Sequence, residues 1–159
     1  MTAHAVTARV AGDDDRDVVL TLAADARSEA RTERGGPMLL DHDLEGRPAS
    51  SRLDKAFVDE HQRVWVGEID GVPVGYAVAV CVDGGDVRVA RLDELFVHQR
   101  ARNLGVAAAM LAAVEAWGVA GGCHAVESQV LPGNRAAKNF FERLGMVTRR
   151  MVVSRALED

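Results

Sequence analysis

The chain is poor in several things, and each shortage excludes something. It has two cysteines, Cys81 and Cys123, whose spacing fits neither a metal site nor a disulfide framework, so both are expected reduced and in strands. Tyr76 is the single tyrosine and aromatic residues make up 4% of the chain, which leaves one candidate for any chemistry that needs a phenol. Apolar runs are short, and none approaches the ~20 residues of a bilayer-spanning helix. The opening MTAHAVTARVAGDDDRD lacks the basic start and apolar stretch of a secretory leader. No membrane association is expected, and a cytoplasmic location is. Basic charge is also in deficit, with 19 Lys and Arg against 24 Asp and Glu and a net charge of −5. No nucleic-acid partner is therefore expected, since phosphate backbones are held by clustered cations.

What is present is ordinary globular material. The 159 residues are 48% apolar and 27% charged, enough for one sizeable core and a single domain over residues 5–157. Ala5–Val10 alternates and reads as a first strand. Asp13, Asp14 or Asp15 can cap a helix that carries Val18, Val19, Leu22, Ala23 and Ala26 at helical spacing. Residues 31–46 are rich in Gly, Pro and charge and read as a loop. Pro48 or Ser51 then opens a second helix through Phe57.

The middle is a meander. Arg63–Ile69 turns at Asp70-Gly71 into Val72–Val82, and Asp83-Gly84-Gly85 turns again into Val87–Val97. A helix is expected over Gly105–Val119 and a strand over Cys123–Val130. A further helix runs from Asn134 to Leu144, where Gly145 ends it, and Val147–Leu157 closes the chain as a strand. The pattern is α/β with a mixed sheet, antiparallel in the middle and with a βαβ crossover later.

The segment most rich in chemistry is Leu95–Leu111, LFVHQRARNLGVAAAML. A buried strand ends, a loop carries Arg100 and Arg102, and a helix begins near Gly105. Free N–H groups and the positive end of the helix dipole converge there, and small residues let a phosphate come close. By itself this could equally be a basic loop before a core helix. It is followed, however, by Asn134, Ala137, Phe140, Phe141, Gly145 and Met146 on the next helix.

Together these segments resemble the two motifs of the GNAT acyltransferase superfamily. Arg102, Gly105 and Ala107 match R-x-x-G-x-G/A, and the later residues match N-x-x-A-x-x-F-Y-x-x-x-G-F. The resemblance covers most of the chain and implies the GNAT fold, a twisted mixed sheet with helices on both faces. It implies acetyl-CoA as co-substrate, no metal, and an amine acceptor on a small molecule, peptide or protein. By that likeness the backbone of Leu95, Phe96 and Val97 pairs with the pantetheine arm like an added strand. The amides of Asn103, Leu104, Gly105, Val106, Ala107 and Ala108 cradle the pyrophosphate, with Arg102 at the mouth. Asn134 bonds the pantetheine or its phosphate edge, and Phe140 packs the last helix beneath the cofactor.

Three positions depart from the family pattern. Gln99 replaces a Pro, Asn103 replaces a Gly whose left-handed backbone Asn also tolerates, and Phe141 stands where many members carry a tyrosine that protonates the leaving thiolate. Coenzyme A leaves as a thiolate of a group whose pKa is near ~8.5, so water, or no acid at all, suffices. Tyr76 is expected in the core rather than at the thiol.

An attacking amine must lose its proton. Asp93 and Glu94, at the end of the long strand, are the candidate bases. Adjacent strand residues point to opposite faces, so one of them faces the cleft unless a bulge intervenes. The family likeness favours Asp93 by position, and reach favours Glu94. Asp41, Asp43 and Glu45 lie in the segment that walls the acceptor site in this family, and suit a cationic amine. The five histidines share no spacing; His98 is the exception in sitting in the cofactor loop, where it reads as a solvated neighbour of the phosphate, and Trp65 and Trp117 read as packing residues. A homodimer is left open. The readings are an N-acetyltransferase, and against it a catalytically weak acyl-CoA-binding regulatory protein, suggested by Phe141 alone.

Overall fold

The computed structural model describes residues 3–157. Strand β1 (Val6–Val10) leads through a 3-10 turn at Asp13–Asp15 into helix α1 (Arg16–Thr32). The segment read as a loop is partly helical: a single turn α2 (Gly36–Met38) runs into a π turn over Leu39–Asp43. Helix α3 (Ala49–Val58) starts after Pro48, whose fixed φ suits a helix entry. Strands β2 (Gln62–Ile69), β3 (Val72–Gly84) and β4 (Val87–Val97) form the expected antiparallel meander. Helix α4 (Val106–Ala120) crosses over to β5 (Ala125–Ser128), which pairs parallel to β4, and α5 (Arg135–Arg143) follows.

The five strands lie in chain order, β1-β2-β3-β4-β5. Their side chains feed two cores, one on each face. Val64, Val66, Tyr76, Val78 and Phe96 pack against Val19, Leu22 and Ala23 of α1 and Leu53 and Ala56 of α3. Trp65, Ala77, Ala79, Leu92 and Val97 pack against Val106, Met110, Leu111 and Val114 of α4 and Phe141 of α5. The alternation of the two lists along each strand is the period of two that places successive residues on opposite faces.

Gly67 sets how close α4 lies to the sheet. A β-carbon there would stand 2.5 Å from Val106 Cγ1 and 2.9 Å from Met110 Sδ, so the first half of α4 can rest on β2 only because that side chain is missing.

Two expected strands are not met as drawn, and Cys123 lies outside any strand. The strand predicted over Cys123–Val130 shortens to Ala125–Ser128. The strand predicted over Val147–Leu157 does not form. Its apolar residues recur, but Val147, Met151, Val152, Val153 and Leu157 are each more than 80% exposed, so no face is buried to hold a register. Arg149 makes an ion pair with Glu127 of β5, but backbone pairing does not follow it.

Candidate active site

Beyond Leu92 the two last strands part. β5 pairs with β4 only from Val89 to Leu92, where Ser128 Oγ donates to the Leu92 carbonyl at 3.0 Å. From Glu94 to Val97, β4 keeps its antiparallel partner β3 but, among the described residues, has no strand on its other side. That leaves a slot of sheet edge at Leu95, Phe96 and Val97, the geometry by which an extended group adds as a strand.

The slot runs into the start of α4. Gly105 precedes the helix with φ of +92°, and Asn103 has φ of +64°, the left-handed region that Asn and Gly enter most readily. A β-carbon on Gly105 would meet nothing within 4 Å, so the space before the helix is open. The first amides of α4, on Val106, Ala107 and Ala108, have no partner within the helix, as at any helix N-terminus. Leu104 is half exposed beside them. The surroundings therefore suit the pyrophosphate of a coenzyme A arm.

Arg102 does not point into that space. Its Nε donates to the Val97 carbonyl at 2.9 Å, its Nη2 meets Glu29 of α1 at 2.7 Å, and its guanidinium lies 5.5 Å from the Phe96 ring centroid. The side chain ties the end of β4 to α1. Asn134 caps α5, its Oδ1 accepting from the Ala137 amide at 2.9 Å. Phe140 and Phe141 meet edge to face at 5.1 Å, and Phe141 is buried with Val97, Ala101 and Val106.

The candidate bases are placed by a bulge in β4. Val78 of β3 pairs with Glu94 and Ala79 with Leu92, so Asp93 is an extra residue. Leu92, Leu95 and Val97 pack on the α4 face, while Phe96 packs with α1 and α3. Asp93 and Glu94 consequently share the α1/α3 face, where Arg52 of α3 reaches both. Its Nη2 donates to Asp93 Oδ2 at 2.5 Å, and its Nε lies 2.8 Å from Glu94 Oε1. The second approach is off the hydrogen-bond direction and leaves the buried Nε–H without a hydrogen-bond partner among the described residues.

Two more residues complete the cluster. Arg91 Nε donates to Asp93 Oδ1 at 2.5 Å, and Asp93 raises the Arg91 pKa in return. The hydroxyl of Tyr76, a residue 1% exposed, donates to Glu94 Oε2 at 2.6 Å. Burial first, and then the Glu94 charge, push the Tyr76 phenol well above its ordinary value. It holds Glu94 in place and is no acid for a thiolate. Arg52 and Arg91 carry no motif, although Arg91 and Asp93, two apart on a strand, could have been paired from spacing alone.

The segment between α1 and α3 borders a cavity of about 260 Å³ that Arg27, Arg31 and Arg47 help to line. Asp41, Asp43 and Glu45 are each answered already by a neighbour: Arg31 at 3.0 Å, His42 at 2.9 Å and Arg47 at 2.5 Å. Arg31 holds the Asp41 carboxyl below its usual range. A second cavity, of about 270 Å³, opens beside Asp93 between Arg52, Lys55 and Arg91.

A family model described as the Acetyltransferase (GNAT) family matches residues 25–146. The chain belongs to that family. It is 31% identical over 116 residues to an aminoglycoside N(6')-acetyltransferase type 1 from Salmonella typhimurium strain LT2, an alignment covering 68% of this chain and 80% of that one. Among solved structures it resembles a tetramutant of the BH1408 protein from Bacillus halodurans, with a TM-score of 0.78, 21% identity, and coverage of 94% and 99% of the two chains. It also resembles the aminoglycoside N-acetyltransferase AAC(6')-Iy in complex with CoA, with a TM-score of 0.72, 23% identity, and coverage of 98% and 97%. The fold is thus the GNAT fold, and the chain is an N-acetyltransferase that uses acetyl-CoA and transfers its acetyl group to an amine. Among the described residues no group of His, Cys, Asp and Glu is placed to hold a metal ion, and no helix is long and apolar enough to cross a membrane.

Proposed function

We propose that the acceptor is a primary amine on a polar small molecule of the amino-sugar kind, and that it meets acetyl-CoA on the Asp93–Glu94 face of β4. The observation that carries this reading is the bulge, which turns both carboxylates to one face beside the slot. The Salmonella relative's name, an aminoglycoside acetyltransferase, supports the acceptor class.

The residues then divide the work. The edge of Leu95, Phe96 and Val97 aligns the pantetheine arm, and the amides from Asn103 to Ala108 hold the pyrophosphate. Glu94 takes the amine proton, directly or through a water. Its oxygens already meet Tyr76 and Arg52, but a carboxylate has about four acceptor sites and keeps capacity for one more donor. Asp93, held by Arg52 and Arg91, orients the guanidinium of Arg52 and offsets the positive charge gathered beside Glu94. As the amine attacks the thioester carbon, the thiolate leaves unaided or to water, since no phenol faces it.

Phe141 favours a second reading, a catalytically weak acyl-CoA-binding regulatory protein. A thiol-release assay with acetyl-CoA over aminoglycosides, polyamines and short peptides separates the two. Release with the amino sugars supports the proposal, and release with peptides alone overturns the acceptor class. Tight acetyl-CoA binding with only slow release across every amine supports the weak binder.

A further inference from the structure

Cys81 lies in β3 and Cys123 in the connection between α4 and β5, 42 residues apart in sequence, yet their sulfurs stand 3.5 Å from one another. Both thiols are free and half-buried. Each is held by backbone bonds at its own position. The Cys81 amide donates to the His61 carbonyl at 3.0 Å, and the Cys123 amide to the Gly118 carbonyl at 2.8 Å. The turn that carries Cys123 is fastened further, since Arg88 Nη1 donates to the Gly121 carbonyl at 2.8 Å.

We propose that Cys81 and Cys123 are a dithiol that closes to an intrachain disulfide when a small-molecule disulfide is supplied, and that the bond staples the end of α4 to β3 without touching the reaction. A disulfide needs its sulfurs at about 2.05 Å, so closure calls for a further approach of about 1.5 Å, shared between rotation of the two short side chains and small shifts of the turn that carries Cys123.

The exchange balances with a disulfide such as oxidised glutathione. One protein thiolate attacks a glutathione sulfur, the S–S bond breaks, and one glutathione thiolate leaves. The second protein thiolate then attacks the sulfur of the mixed disulfide and expels the other glutathione. Two protein thiols are oxidised, one glutathione disulfide is reduced to two thiols, and the two protons the protein thiols give up end on the two glutathione sulfurs. The second step is favoured over release because the attacking sulfur already lies against its target.

The position decides the consequence. Cys81 pairs across the sheet with Ala90, and Ala90 with Val126 of β5, where the strands are still joined. The phosphate cradle lies at the opposite end of α4, whose 15 residues span about 22 Å. A bond there restrains the unfolded chain and leaves the slot alone.

The test is incubation of the full chain with oxidised glutathione, followed by intact mass, free-thiol titration, melting and acetyl-transfer assays. Loss of two hydrogens, disappearance of both thiols, a melting rise on the order of 5 °C and kcat within about twofold of the reduced protein are expected. In Cys81→Ser and Cys123→Ser, and equally in the alanine variants, the remaining thiol should take one glutathione and the melting rise should vanish. Stable glutathione adducts on wild type, or disulfide-linked dimers as the main product, overturn the dithiol. Oxidation that leaves the melting point unmoved, or that abolishes transfer, overturns the staple.

Discussion

Asp93 and Glu94 are consecutive residues of one strand, and both carboxylates meet the guanidinium of Arg52, at 2.5 and 2.8 Å. A regular strand would send them to opposite faces. The bulge at Asp93 breaks that rule and brings like charges together on the α1/α3 face of β4. Such a pair is costly without a cation, so Arg52 and Arg91 are as much a part of the site as the carboxylates.

Removing the carboxylates should separate their roles. Glu94→Gln should cost about 10²–10⁴ in kcat, and Asp93→Asn a smaller part of that range together with a rise in KM. The Glu94→Gln loss should shrink as pH rises, because a more basic solution deprotonates the amine without help. Rate against pH for both variants checks this. Full rate in both at every pH would remove the base from this face.

Arg52→Met tests the pairing itself. It leaves Asp93 and Glu94 facing one another with Arg91 alone, and should cost about 1–3 kcal/mol of stability, less than a fully buried pair because all three side chains keep some solvent. Salt screens the repulsion, so the deficit should narrow between low and high ionic strength. Urea denaturation at two salt concentrations measures it.

How much of this was legible in the sequence follows from the range of each signal. The meander, the crossover and the helix before and after β5 rest on local periodicity and turn residues, which act over a few positions. Asn103 and Gly105 entering left-handed backbone was readable for the same reason. The bulge was conceivable but undecidable, because register depends on which residue of β3 faces which of β4. Arg52 lies 41 residues from Asp93 and on another element, so nothing near either residue announces the contact. The tail from Val147 reads as a strand because alternation says what could pair, while burial says whether it does.

A second ion-pair cluster predicts the acid limb of the stability curve. Arg9 donates to Asp15 at 2.7 and 2.9 Å, and the Gly12 amide donates to it at 2.8 Å. Arg9 most of all, and the amide after it, lower the Asp15 pKa against the opposing pull of burial. A depressed carboxyl contributes stability that is complete above its unfolded value, near ~3.9, and is lost as pH falls through the lower folded value. Asp15→Asn should therefore lose about 1–3 kcal/mol at neutral pH. It should also show a shallower decline than wild type in acid, as followed by denaturation at several pH values.

The cradle is tested by binding. Gly105→Val forces a branched side chain onto φ of +92° and into the path of a phosphate, and should raise the acetyl-CoA dissociation constant tenfold or more, about 1.4 kcal/mol. Arg102→Ala should act differently, since its side chain holds Val97 and Glu29. It should lower the melting point as well as weaken binding. Calorimetric titration with melting curves distinguishes the two. Wild-type binding in a folded Gly105→Val would place the pyrophosphate elsewhere.

Phe141→Tyr asks whether the reaction lacks an acid or merely does without one. Phe141 is buried, packed on Phe140 and near Val97 and Val106, so its ring lies where the end of β4 meets the start of α4. A hydroxyl added there has two fates. If it reaches the slot, it donates to the leaving sulfur, and kcat should stay level or rise severalfold with stability unchanged. If it stays in the core, it is a buried donor without a partner and should cost about 1–3 kcal/mol of stability with no gain in rate. The thiolate is a tolerable leaving group, so a large gain is not expected from a competent enzyme. Measuring kcat and melting point together reads the outcome. Activity that appears only in the tyrosine variant would mean that this chain has the GNAT fold and site but has lost turnover.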